Sequence, residues 1–190
     1  LAQKQRRTQA QRREETQSKV LACARQQFGE KGYSTTALED IAREAGTTIR
    51  PIYHYFGNKE ALFEAVTESY EAELLATLQA PSENGGDAGL AESWQRFMAL
   101  CDQPGFVQVV LLDAPHILGR ERLRRSAVVL EAQRRLDEMW PERELSDSDR
   151  ELYARMLLAA LTEAALMRGE RSDYDSSAAL QPLLQTLDNV

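Results

Sequence analysis

Apolar residues recur at intervals of three and four along most of the chain, the period of helices that each bury one face. Over 16–31, Val20, Leu21, Ala24 and Phe28 form one such stripe, and Gly32 stands in the C′ position that favours glycine. Thr36-Ala37-Leu38-Glu39 has the spacing of a capping box. It predicts a short helix to about Ala45, with Leu38, Ile41, Ala42 and Ala45 inward and Gly46 as its breaker. A second short helix is expected from Thr48 to Tyr55. After Gly57, Asn58 is placed to cap a longer one in which Leu62, Val66, Tyr70, Leu74 and Leu78 recur every four residues.

Pro81-Ser82-Glu83-Asn84-Gly85-Gly86-Asp87 reads as a loop. Beyond it the pattern predicts a helix over 88–102, carrying Leu90, Trp94, Phe97, Met98 and Cys101 on one side. A short apolar helix over 105–113 precedes Pro115, and an arginine-rich helix over 120–139 stops before Pro141. Ser146-Asp147-Ser148-Asp149 signals the start of a helix over 148–168, with Leu152, Met156, Leu157, Leu161, Ala164 and Ala165. The last, over 176–189, shows Leu180, Leu183, Leu184 and Leu187. No alternating β-branched or aromatic run bounded by hairpin turns interrupts this. The expected fold is all-α, with some nine helices and no internal repeat.

Composition narrows the function classes. The 190 residues are 43% hydrophobic and 28% charged, as in globular proteins. The longest apolar stretches, 106–112 and 156–167, are interrupted by Gln108, Thr162 and Glu163, and neither approaches the ~20 residues of a spanning helix. Lys4, Arg6, Arg7, Arg12 and Arg13 have no apolar segment behind them, unlike a secretory signal. Cys23 and Cys101 are too few for a disulfide framework and read as reduced packing residues. The expectation is a cytoplasmic protein with no membrane association.

The net charge of −7 conceals a division. Residues 1–64 hold eleven Lys/Arg and eight Asp/Glu, a charge of +3; residues 65–190 hold twelve and twenty-two, a charge of −10. A basic end on an acidic remainder points to one region that meets a polyanion and another with a different task.

That basic end contains two short helices joined by a glycine-containing turn over 36–59, the helix-turn-helix arrangement whose second helix enters the DNA major groove. Thr48 is a suitable cap, and Pro51 falls at the third helical position, where its missing N–H costs nothing. Ile52 and Phe56 can anchor the helix inward, leaving Ile49, Arg50, Tyr53 and His54 near the exposed side. Arg50 can bond guanine O6 and N7 bidentately. Tyr53 and His54 can donate to phosphate, and Lys59 adds charge at the next helix N-terminus. Thr36 and Thr48 complete the expected DNA-facing set. The basic run over 4–13 can lie along the duplex as an arm or be a solvated leader.

These residues carry a family resemblance. Gly32-Tyr33, then Thr36-Ala37-Leu38-Glu39-Asp40-Ile41-Ala42-Arg43-Glu44-Ala45-Gly46, then Ile52-Tyr53-His54-Tyr55-Phe56-Gly57-Asn58-Lys59-Glu60-Ala61-Leu62 resemble the TetR family of bacterial transcriptional regulators. The match covers roughly 17–64. Arg50 and Pro51 depart from it, the family usually having small residues there. Leu112-Asp113-Ala114-Pro115, Leu118-Gly119-Arg120 and Leu161-Thr162-Glu163-Ala164-Ala165 look like the ligand-binding domain of an actinobacterial subgroup. The resemblance implies a DNA-binding domain over 1–62 and an effector-binding and dimerisation domain over 63–190. It implies a homodimer formed through 148–168 and 176–189, a palindromic double-stranded operator, and a largely apolar small-molecule effector. A repressor is expected, with an activator of the same fold as the alternative.

Trp94, Phe97, Met98, Cys101, Asp113 and His116 are the candidate effector contacts, an apolar set with few polar fixers. The arginines at 120, 122, 124, 125, 134 and 135 are interleaved with Glu121, Glu131, Asp137 and Glu138, as on a salt-bridged exposed helix. An all-α enzyme is the remote alternative. Neither histidine has metal-ligand spacing to other ligand residues, and no phosphate loop or nucleophile elbow occurs. No metal and no cofactor is expected.

Overall fold

The computed structural model describes residues 8–82, 89–142, 144–171, 178–180 and 182. The expected helix over 176–189 therefore lies largely outside the described residues, as do most of the 81–87 loop and the first half of the basic run. Among the described residues the fold is entirely helical. Helices α1 (Gln9–Lys31), α2 (Leu38–Glu44), α3 (Ile49–Phe56), α4 (Lys59–Gln79) and α5 (Leu90–Cys101) come first. A π-helical segment, Val107–Asp113, runs directly into α6 (Ala114–Ile117). Then follow α7 (Gly119–Arg124), α8 (Ala127–Met139) and α9 (Asp147–Glu170).

Where boundaries differ from the sequence pattern, local hydrogen bonding explains the shift. Helix α1 starts at Gln9, well before residue 16, because Thr8 and Gln11 form a capping box: the Thr8 hydroxyl accepts from Gln11 N at 3.2 Å and Gln11 Oε1 from Thr8 N at 2.9 Å. The extension is polar, so hydrophobic periodicity carries no trace of it. It puts Arg12 and Arg13 on a rigid helix. The capping box expected at Thr36 is absent. Helix α2 has Ala37 at its N-cap with no side-chain cap, and the buried Thr36 hydroxyl instead donates towards Gln27 O (3.1 Å) and Gly32 O (2.8 Å).

The expected helix over 120–139 is broken, because Ser126 accepts from Val129 N and starts α8 afresh. The chain also stays helical through Pro115, which sits in the first turn of α6, where a proline is tolerated. Asn58 and Ser146 cap α4 and α9 as expected, accepting from Ala61 N and Asp149 N.

One apolar cluster joins the molecule. It runs from Val20, Ala24 and Phe28 of α1 through Ile41 and Ile52 to Leu62, Phe63, Val66 and Tyr70 of α4, and on to Trp94, Phe97, Phe106 and Val109. Helix α4 is its axis, since α1, α3, α5 and α8 all pack on it. A second, smaller cluster of Ala132, Leu136, Trp140 and Ala154 fastens α8 to α9.

Candidate nucleic-acid interface and effector cavity

Helix α3 presents two chemically different sides. Ile52 is completely buried, and Ile49 and Phe56 pack partly buried against the main cluster. Ile49 therefore anchors α3 and is not part of its outer surface. On the outer side Thr48, Arg50 and His54 are exposed, and Tyr53 is 51% exposed. A 51% exposed tyrosine on a helix pinned by a fully buried isoleucine is a side chain held outward. The helix ends at Gly57, whose φ of +85° is a conformation that strongly favours glycine.

The exposed side of α3 is not isolated. The Arg13 guanidinium lies 3.1 Å from His54 Nε2. Guanidinium has only donors, so in this contact Nε2 is the acceptor. The contact places the first turns of α1 beside α3 and joins Arg13 to the outward-facing set. Sequence reasoning placed Arg13 in a basic run without this partner. Only the 41-residue separation closed by the fold reveals it.

Lys59 is half-buried, with Nζ 4.3 Å above the Tyr33 ring, within cation–π range. Burial lowers its pKa from the ordinary 10.5. Tyr33 in turn stacks on Phe28 at 5.9 Å and meets Phe63 edge-on at 5.0 Å. Of the residues expected to face DNA, the fold brings Thr48, Arg50, Tyr53 and His54 to one surface, sets Lys59 at its border, and removes Thr36 and Ile49. Thr36 is withdrawn because its hydroxyl serves α1 carbonyls.

A cavity of about 540 Å³ opens between α4, α5, α7, α8 and α9. Its wall is mostly apolar: Trp94 and Phe97 take part as expected, together with Leu74, Leu78, Leu136 and Leu161. Four expected contacts are off that wall. Met98 is buried in the main cluster. Cys101 is half-buried near Asp102, and its thiol is pushed up to about 12 by burial and that carboxylate. Asp113 turns the other way and accepts from Tyr33 N at 2.8 Å. His116 is exposed.

Several polar groups on and beside the wall are already paired. Glu71 accepts from Arg122 at 2.5 Å. Glu131 accepts from Arg134 at 2.7 and 3.0 Å, Gln79 at 3.1 Å and Arg135 at 3.1 Å. The Arg134 bonds foremost, against an opposing effect of burial, hold the Glu131 carboxyl down at about 2. Arg135 also donates to Ser93 Oγ at 2.8 Å and to Leu78 O. Thus Arg122, Glu131 and Arg135 turn inward and tie helices together, whereas the pairs of Arg124 and Arg125 with Glu121 are exposed, as expected. The alternation of charges leaves the two cases alike in sequence.

Among the described residues no group of three or more His, Cys, Asp or Glu side chains could hold a metal ion, and no helix is long and apolar enough to cross a membrane.

Comparison with known proteins agrees with this arrangement. Residues 20–66 match the family described as "Bacterial regulatory proteins, tetR family", and residues 88–190 match "Tetracyclin repressor-like, C-terminal domain". The HTH-type transcriptional regulator HbdR of Aromatoleum sp. is 37% identical over 65 residues, 32% of this chain and 28% of that protein. The regulator SrpR of Pseudomonas putida is 32% identical over 105 residues, 54% of this chain and 41% of that protein. The chain thus matches less than half the length of these two relatives. Over nearly the whole chain it resembles the crystal structure of a TetR-family transcriptional regulator from Pectobacterium atrosepticum. That likeness has a TM-score of 0.64 and 32% identity, covering 95% of this chain and 97% of the other. With both portions matched and the helix-turn-helix in place, the chain belongs to the TetR family of DNA-binding transcriptional regulators.

Proposed function

We propose that the chain acts in the cytoplasm as a homodimeric repressor that holds a palindromic operator and lets go when an apolar small molecule fills the cavity. The observation that carries this reading is the cavity of about 540 Å³ on the flank of α4, the helix whose N-terminus abuts the recognition helix α3. The division into a DNA-binding part over 1–62 and an effector-binding and dimerising part over 63–190 is functional, with α4 shared between them.

Effector chemistry follows from the wall. Its buried ionic groups already have partners, so a ligand gains chiefly by covering apolar surface beside Trp94 and Phe97. Dimerisation is supported by α9. Leu152 and Met156 are 53% and 58% exposed on one side of it, while Ala154, Ala164 and Ala165 are buried on the other. A helix apolar on both sides is suited to pack against a second copy.

Arg50, Tyr53 and His54, with Thr48 and Arg13 beside them and Lys59 at the border, are the DNA contacts in this reading. Arg50 reads base edges and the others fix register on phosphates. The test begins with selection of bound genomic fragments by the full chain. An enriched palindrome is expected, and its absence would overturn the operator assignment. Compounds that displace the neutral fluorophore N-phenyl-1-naphthylamine from the protein are then titrated against the selected fragment. Saturation should weaken binding by about 5–150-fold; unchanged affinity would remove the release mechanism.

A further inference from the structure

The π-helical segment Val107–Asp113 faces two ways. Val110 and Leu111 stand on the cavity wall, while both ends of the segment are fastened to the last turns of α1. At its start, Gly105 packs directly on Gly29: a Cβ on Gly29 would lie 2.7 Å from Gly105 Cα. Gln108 near its start and Asp113 at its end close over Gly32, and Asp113 Oδ2 accepts the Tyr33 amide at 2.8 Å.

This last bond joins residues 80 apart in sequence, and it has an anionic acceptor, the stronger kind of amide hydrogen bond. It also occupies the point where α1 has ended and the turn to α2 begins. The bond sets where the Tyr33 Cα sits, packing on Phe28 and Phe63 orients the ring from there, and that ring is the surface on which the Lys59 ammonium rests. A π-helical turn carries one more residue than an α-helical turn, so it is a place where a small change of winding re-aims a side chain.

We infer that Asp113 is a positioning residue for DNA binding: through the Tyr33 amide and ring it holds Lys59 at the border of the DNA-facing surface. The inference rests on the reading of Lys59 as a phosphate contact. It assigns Asp113 to the junction between cavity and helix-turn-helix, in place of the effector contact expected from sequence. Val110 and Leu111 are the residues through which occupancy of the cavity reaches that junction.

The test uses the full chain and the selected operator, with affinity measured as a function of salt. Each lost phosphate contact flattens the plot of log K against log salt by about 0.9. Lys59→Ala and Asp113→Ala are each expected to flatten it by about that much per bound subunit. The double variant should be no flatter than Lys59→Ala alone. Asp113→Asn, which keeps an oxygen acceptor, should recover most of the slope.

A purely structural role for Asp113 would lower the melting temperature and the affinity while leaving the slope unchanged, and that result would overturn the inference. A slope moved by Lys59→Ala but not by Asp113→Ala overturns it alone. A slope unmoved by Lys59→Ala removes the phosphate contact and the inference together. Should Asp113→Ala fail to fold, amide hydrogen exchange in the unaltered chain decides. The Tyr33 amide should exchange as slowly as amides inside α1, and exchange at the rate of an open turn would overturn the bond itself.

Discussion

Arg25 lies flat on Tyr70: its guanidinium carbon is 3.6 Å from the ring centroid, and two of its nitrogens reach the Glu73 carboxylate at 2.5 and 2.7 Å. One side chain of α1 thereby grips α4 by a cation–π contact and a bidentate ion pair. The Tyr70 hydroxyl meanwhile donates to Pro104 O at 3.0 Å, just ahead of the π-helical segment. Three elements thus meet at one stack: α1, α4 and the turn that leads into the π-helical segment.

Replacing Arg25 with alanine should cost about 1–2 kcal/mol, since the cation–π contact is partly desolvated and the ion pair is half exposed. For a domain of this size that is a fall in Tm of roughly 2–8 °C. Arg25→Lys should recover only part of the loss, because a lysine cannot both lie on the ring and bridge the carboxylate. Thermal unfolding of the three proteins checks this.

Gly29 and Gly105 touch backbone to backbone, so neither partner can move aside as a flexible side chain would. Gly29→Ala removes a helix-weakening glycine but drives α1 away from the 104–105 turn. The steric cost of about 1–3 kcal/mol exceeds the helix-propensity gain of about 1 kcal/mol. Net destabilisation is expected in urea unfolding. A stabilised variant would contradict the close approach.

Glu131 is held at about 2 in the folded chain, below its ordinary 4.5. A depressed carboxyl contributes stability that is complete above about 4.5 and is lost as pH falls towards 2. Glu131→Gln should therefore be less stable at pH 7, by about 1–3 kcal/mol, and should lose less of its remaining stability between those limits. Urea midpoints measured across that acid range check the sign. Equal slopes for the two proteins would show that the carboxylate is not the linked group.

Arg50→Ala should weaken the selected operator by about 1–3 kcal/mol and leave random duplex nearly unaffected. Equal losses on both, in a binding assay at fixed salt, would assign Arg50 to the backbone.

Much of the surface proposed to face DNA was legible because it depends on local rules. Ile52 is buried and Arg50, Tyr53 and His54 are exposed because a helix repeats every 3.6 residues; Gly57 ends that helix through its positive φ and Asn58 caps the next. The same rules misread Thr36, where the capping-box spacing is present but the hydroxyl has two nearer carbonyls. They also missed the start of α1, whose cap opens a polar stretch.

The cavity was half legible. Trp94 and Phe97 lie on the face of α5 that the pattern marks as buried, and a buried face can look into a cavity or into packed core with the same spacing; Met98, on the same face, does the latter. What the chain dictates by itself is where helices run and which stripe of each turns inward, because those follow from contacts within about four residues. Which buried stripe borders empty space, which arginine is drawn in beside a glutamate, and that Asp113 reaches the Tyr33 amide were decided only when α1, α4 and the π-helical segment came together. Those outcomes rest on distances between segments that no local period encodes.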